Sequence, residues 1–176
     1  MKKFLFILSA AACYFLSACN DKAATSGGMS DAARKNLDAF HTVSDAFMSG
    51  DVSKIDSVVA SDFVDHTETG DKNRDSLKAM ITMMHKTETN MKSEIKKALA
   101  DDEYVMGWMR WTGTSDGSMP GMPAGPYDMS GLEVVRFKDG KAVEHWAFME
   151  VREMMKMMGG GQQMPASNPT STDKAK

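Results

Sequence analysis

Apolar positions recur at three- and four-residue spacing through the first half of the chain, and runs rich in Val, Phe, Met and Trp fill the second. Ser30-Asp31 can cap a helix whose stripe is Leu37, Phe40, Val43, Ala46 and Phe47, and Gly50 ends it. A second, short helix is expected after Asp51 with Val52, Ile55, Val58 and Val59 as its apolar side. A third opens at Asp75-Ser76 and runs through Leu77, Met80, Ile81 and Met84. Between the last two, SDFVDHTETG is too short for a helix and ends in a polar turn. Met91 to Leu99, Tyr104 to Thr114, Met129 to Phe137 and Ala142 to Val151 then read as four long strands. Helices first and an antiparallel sheet later is an α+β order, unlike alternating βαβ units.

The last two strands flank Asp139-Gly140, a dipeptide that supplies the positive φ angles of a two-residue type I′ turn. Counting outward from that turn pairs Lys138 with Lys141, Val135 with Glu144 and Glu133 with Trp146. Glu133, Val135, Phe137, Ala142, Glu144, Trp146 and Phe148 are then expected on one face. The other face would carry Leu132, Val134, Arg136, Val143, His145, Ala147 and Met149. A face that mixes carboxylates with an indole reads as a pocket wall, and neither face is plainly solvent-like. Trp108 and Trp111 fall on opposite sides of their strand, with Arg110 beside the first, so one ring is wall and the other core. The segment between that strand and the hairpin holds three of the five prolines and must loop, its Met119 and Met122 forming a lip over the cavity.

The chain ends change the picture of location. Lys2 and Lys3 precede an apolar run from Phe4 to Phe15, which closes on Leu16-Ser17-Ala18-Cys19. This reads as a secretory signal peptide, with an apolar core too short for a span of about 20 residues. LSAC resembles the lipobox of bacterial lipoproteins, which implies cleavage after Ala18 and acylation of Cys19; ordinary cleavage with a free thiol is the alternative. Cleavage removes Lys2 and Lys3 and leaves 19 basic against 24 acidic residues, about −5, which argues against nucleic acid. It also leaves Cys19 as the one cysteine of the mature chain, so no internal disulfide can form. Residues 19 to 30 read as a tether, 31 to 158 as one domain, and 159 to 176 as a disordered tail. The chain is therefore expected in the bacterial cell envelope, lipid-anchored, with an outer membrane facing the periplasm favoured.

Three helices, a short strand ending in Asp65-His66, and a long sheet closed by the hairpin together resemble the SnoaL-like polyketide cyclase branch of the nuclear transport factor 2-like superfamily. FVDHT at Phe63 to Thr67 looks like the family's y-v-D-H segment, and EVVRFKDGKAVEHW at Glu133 to Trp146 looks like its D-x-x-R-x-x-D-G-K-I-x-E-H-W segment. The resemblance covers about residues 33 to 151. It implies a cone-shaped barrel, three N-terminal helices packed on a curved, mainly antiparallel sheet of four to six strands, around an apolar pocket. It also implies that dimerisation through the outer sheet is open to the chain. The family's acidic pocket position falls on Glu133, its tryptophan on Trp146, its glutamate on Glu144 and its histidine on His66. The chain departs from the family pattern at Ala147, at Pro123-Ala124-Gly125 and at Gly113-Thr114-Ser115, each a loss of a titratable or hydroxyl group on the pocket side.

In the chemistry this suggests, Glu133 or Glu150 is a base for proton transfer and His66 polarises a carbonyl or returns the proton. The pocket would be lined by Trp146, Phe148, Trp108, Trp111, Glu144 and Arg110. Each assignment has a structural counterpart: Glu133 as an ion-pair partner of Arg136 or Arg110, Glu144 as a surface ion pair, His66 as a turn hydrogen bond, and His145 as a half-buried histidine. Asp65, His66, His85 and His145 form no metal-ligand spacing, and no cofactor motif is read. The 18 methionines, in clusters such as Met154 to Met158 and Met80 to Met84, offer soft donors for copper(I), or serve as flexible core filler. Binding of a small apolar or carbonyl-containing molecule is the leading function. A cyclase- or isomerase-type enzyme, copper(I) binding, and an envelope scaffold with a methionine-sealed pocket stand as alternatives.

Overall fold

The computed structural model describes residues 28–119 and 121–157. The signal segment, Cys19 with most of its tether, and the tail from 158 onward lie outside them. The order is α1 (Asp31–Ser49), α2 (Ile55–Val58), β1 (Val59–His66), α3 (Arg74–Thr87), β2 (Glu88–Ala100), β3 (Tyr104–Ser115), β4 (Gly125–Lys138), β5 (Lys141–Met149) and α4 (Val151–Met157). The caps explain where the long helices begin. Ser30 accepts from the Ala33 backbone N–H at the start of α1, and Asn73 does the same for Ser76 at the start of α3. Gly50, at φ 75°, closes α1 in the left-handed conformation that a residue without Cβ adopts freely.

The five strands form one mixed sheet in the order β1-β5-β4-β3-β2. β1 and β2 are its two edges, so the sheet is open and the expected barrel is not closed. β1 runs parallel to β5, and the other neighbours are antiparallel. α2 is a single turn, because Val59, expected on its stripe, instead starts β1. β4 begins at Gly125, inside the segment expected to be loop, and β5 stops at Met149, since Val151 starts α4.

One face of the sheet is covered by the helices. Phe40, Ile55, Phe63, Leu77 and Ile81 pack there against Val59, Val105, Met109, Val135, Phe137 and Ala142 in a single buried cluster. Ile55, Ile81 and Val105 have no solvent exposure at all. Alternation along β3 and β4 follows from this: Val105, Gly107, Met109, Glu133, Val135 and Phe137 point inward, and Met106, Trp108, Leu132 and Val134 point outward. Among the described residues no helix is long and apolar enough to cross a membrane.

Candidate functional site

The hairpin turn is as tight as its sequence predicts: Asp139 (φ 54°) and Gly140 (φ 76°) both take positive φ. Lys138 pairs with Lys141 and Phe137 with Ala142. The register then shifts, so that Arg136 opposes Glu144, Val135 opposes His145 and Glu133 opposes Ala147. An extra residue on β5 at this bulge exchanges the faces of everything beyond it. His145 therefore joins Glu133 on the inner face, and Trp146, expected beside Glu133, moves to the outer one.

The parallel pairing with β1 completes an inner-face group. Asp65 lies opposite His145 and His66 opposite Trp146. The backbone of Asp65 is fixed by reciprocal N–H to carbonyl bonds with Lys72. Its carboxylate accepts a hydrogen bond from His145 Nδ1 at 2.8 Å, and His145 Nε2 stands 3.6 Å from Glu133 Oε2. Nε2 is buried and has no hydrogen-bond partner. Burial of the imidazole opposes its charge, but the hydrogen bond to Asp65 and the negative charges of Asp65 and Glu133 outweigh it and raise the pKa to about 9. His145 is thus an imidazolium at neutral pH, hydrogen-bonded at Nδ1 and facing Glu133 at a buried Nε2. Side-chain exposure rises along the trio, from 10% at Asp65 through 19% at His145 to 28% at Glu133, so solvent reaches the group from the Glu133 end.

Farther along the same inner face, Glu88 at the start of β2 is 5% exposed and accepts the Tyr127 hydroxyl through Oε2, while its Oε1 has no partner. Burial and that bond push the Tyr127 phenol well above its ordinary range. The ring crosses the sheet over Gly113, where a Cβ would lie 2.4 Å from the hydroxyl oxygen. Gly113-Thr114-Ser115 thus leaves room for a tyrosine against the sheet. Trp111, also inward, approaches Gly131 in the same manner.

Of the residues expected to line a pocket, the structure brings only Glu133 and Trp111 to the inner face. His66 is on the outer face, stacked on Trp146 with ring centroids 4.8 Å apart, and its Nδ1 meets Asp71 at 3.0 Å. It is not beside Glu133. Glu144 is also outward, and a 2.7 Å hydrogen bond from Arg136 lowers its pKa. Arg110 donates two bonds to Asp128, at 2.8 and 2.7 Å. Trp108 and Phe148 point outward and are 52% and 56% exposed. Glu150 lies past the end of β5, in an exposed pair with Arg152. Glu133 faces His145 rather than Arg136 or Arg110. The residues that sequence reasoning placed elsewhere, Asp65 and His145, are brought together by the parallel β1–β5 pairing and the bulge.

Two open clefts lie away from this group. One, of about 530 Å³, is lined by Met29, Ser30, Ala33 and Ala100 to Glu103. The other, of about 560 Å³, runs past Asn90 to Lys92, Thr112 to Thr114 and Pro126 to Asp128. Neither includes Asp65, His145 or Glu133. Among the described residues no group of three or more His, Cys, Asp or Glu side chains is arranged to hold a metal ion.

Residues 37–157 match the family model described as SnoaL-like polyketide cyclase. The fold is similar to that of IdmH, a putative polyketide cyclase from Streptomyces antibioticus. The TM-score is 0.58 at 21% identity, over 70% of this chain and 98% of that one. It is similar also to a putative SnoaL-like polyketide cyclase from Jannaschia sp. CCS1, with a TM-score of 0.63 at 14% identity over 78% and 99% of the two chains. An LEH-like epoxide hydrolase from M. tuberculosis superposes with a TM-score of 0.58 at 14% identity, over 73% and 92%. No curated protein matches the chain at a significant level.

Proposed function

Because the chain belongs to the SnoaL-like polyketide cyclase family, we propose that it binds a small, largely apolar carbonyl compound at the Glu133 end of the inner sheet face and moves a proton on it. The observation that carries this reading is Nε2 of His145, which has no hydrogen-bond partner and stands 3.6 Å from the Glu133 carboxylate on a ring charged and fixed by Asp65. A carbonyl oxygen that accepts from Nε2–H is polarised by a full positive charge in a water-poor setting. Glu133 then takes the proton from the adjacent carbon, and the enolate remains paired with the imidazolium. Enolisation and intramolecular aldol closure share this first step, and Asp65 serves as the positioning residue that keeps the imidazolium charged and oriented.

The test is exchange of α-protons for deuterium in D2O, followed by NMR over a panel of β-dicarbonyl and aryl ketones. The wild-type chain should catalyse exchange for at least one of them, and Glu133→Gln should lose it by about 10²–10⁴-fold. Equal exchange in both proteins overturns the proposal. A second reading, binding without turnover, is supported by the position of the two clefts away from the trio. It predicts a ligand held equally by wild type and Glu133→Gln, with no exchange in either.

The LSAC motif supports a lipid anchor at Cys19 and a place in the bacterial cell envelope. Intact mass of the chain purified from its membranes tests it, since cleavage after Ala18 removes the first 18 residues and acylation adds mass to the chain that then begins at Cys19.

A further inference from the structure

Four positions surround Glu133 on the inner face. Val135 and Gly131 flank it along β4, and Gly107 of β3 and Ala147 of β5 lie across from it. Val135 is 7% exposed. The two glycines leave space above the sheet, but neighbouring rings fill it. The tip of Phe40 stands 2.5 Å from where a Cβ of Gly107 would lie, and the Trp111 ring stands 3.1 Å from the same point on Gly131. Both glycines are buried. Of the four positions only Ala147 is exposed, and it carries a single methyl.

The sheet also ends beside Ala147. β1 is the strand next to β5 on this side, and its last pair is His66 with Trp146. After His66 the chain turns at Thr67 to Gly70 and returns to pair Lys72 with Asp65. The N–H and the carbonyl of Asp65 both go to Lys72, so this return lies on the side of β1 away from β5. Ala147 and Met149 therefore run past the end of β1, along an edge that no strand among the described residues covers.

We infer that the substrate lies with its carbonyl at His145 and Glu133 and its apolar part over Ala147 and Met149, and leaves the sheet across this uncovered edge. The inference rests on the proton-transfer reading of Asp65, His145 and Glu133. Glu133 can meet a carbon acid only from a side that Val135, Trp111 and Phe40 do not fill, and the Ala147 side is the one that remains. His145 stands on that side too, two residues before Ala147 on β5, so one molecule can present its carbonyl oxygen to Nε2 and its adjacent carbon to Glu133.

The chemistry of the edge selects the rest of the molecule. From His145 to Met149 the inner side of β5 runs for about 13 Å. Its positions after the histidine are a methyl and a thioether, and methionine sulfur packs well against aromatic ring edges. The substrate class is thus an aryl carbonyl compound whose ring system extends away from the reacting carbon, with no wall at the edge against a second fused ring. Ala147 is the position that determines this specificity, because a larger side chain there occupies the space the ring must cross.

The probes are two β-diketones of different reach, acetylacetone and 2-naphthoylacetone, offered in D2O to the full-length chain in detergent, with exchange in the absence of protein subtracted. Intermolecular NOEs should join the naphthyl protons to the Ala147 methyl, identified as the resonance that Ala147→Gly removes. Ala147→Phe adds its ring at an exposed strand position, and it should lower kcat/KM for exchange of 2-naphthoylacetone about tenfold or more relative to that of acetylacetone. Exchange without a naphthyl NOE at Ala147, or with an unshifted ratio in Ala147→Phe, overturns this subsite and leaves the proton-transfer reading standing. NOEs at Ala147 without exchange of either diketone support the subsite and overturn the chemistry. Neither NOE nor exchange overturns both.

Discussion

His145 donates its Nδ1 proton to the Asp65 carboxylate at 2.8 Å across the sheet's one parallel pairing, and that bond makes the fold's stability depend on pH. The folded pKa of His145 is raised to about 9, above its ordinary value near 6.5, because the hydrogen bond to Asp65 and the negative charges of Asp65 and Glu133 outweigh its burial. A raised pKa means that the folded state holds the proton more tightly than the unfolded chain. The stabilisation is complete below about pH 6.5 and is lost as pH rises through about 9. Unfolding free energies from urea titrations should fall steadily from pH 6.5 to 9.5 by an amount on the order of 2 kcal/mol, and Asp65→Asn should flatten much of that slope. A wild-type profile that is flat across this window would contradict the charged, paired histidine.

Asp65→Asn is also expected to be costly at neutral pH. It leaves an imidazolium that is 19% exposed with Glu133 as its one remaining anion, so the cost should fall below the roughly 3–5 kcal/mol of a buried charge left with none. Glu133→Gln, at the solvent-reached end, should cost less in stability yet lower the His145 pKa, visible as an upfield move of its ring titration by NMR. An unchanged His145 titration in Glu133→Gln would separate Glu133 from the trio and return it to a surface role.

The helices were legible because they depend on local chemistry: Ser30 and Gly50 cap α1 as read, whereas α3 opens at an Asn73 cap, two residues before the expected Asp75-Ser76. The Asp139-Gly140 turn was legible for the same reason, and the counted register holds as far as Phe137 and Ala142. It fails two residues later, because a bulge is a property of two strands and a one-residue slip moves every later side chain to the opposite face. That single shift separates Trp146 from Glu133 and delivers His145 in its place. The Asp65–His145 bond is harder still to read, since it joins residues 80 positions apart through a parallel edge strand that no local pattern announces. The family resemblance supplied the fold and Glu133, while the sequence's familiar histidine, His66, lies on the outward side, stacked on Trp146.

Tyr127→Phe removes the donor that satisfies one oxygen of Glu88, a carboxylate only 5% exposed whose other oxygen already has no partner. A loss of roughly 1–3 kcal/mol is expected, the usual cost of stranding a buried polar group. Gly113→Ala should be worse than Tyr127→Phe, because its methyl meets ring carbons at 2.6 and 2.9 Å as well as the hydroxyl. Pairing Gly113→Ala with Tyr127→Ala relieves that clash. Thermal melts showing no recovery in the double variant would mean that the ring does not lie over Gly113.

Asn36 is 2% exposed, yet it is polar, and its amide is spent on two backbone carbonyls of the β2–β3 turn. It ties α1 to the far end of the sheet at the corner where Ser30 also bonds Asp102. Asn36→Leu keeps the branched shape with more bulk but leaves both carbonyls without their donor, so a loss of about 1–3 kcal/mol is expected despite the more apolar side chain. The loss should be local as well as global: amide exchange at Ala33, Arg34 and in residues 101–103 should quicken more than in β4 and β5. Asn36→Asp, which offers no donor and adds a charge in a buried position, should be the more damaging of the two. Uniform exchange across the sheet in Asn36→Leu would show that the turn is held by its own Asp101 bonds to the Glu103 and Tyr104 backbone, at 2.8 and 2.6 Å, rather than by α1.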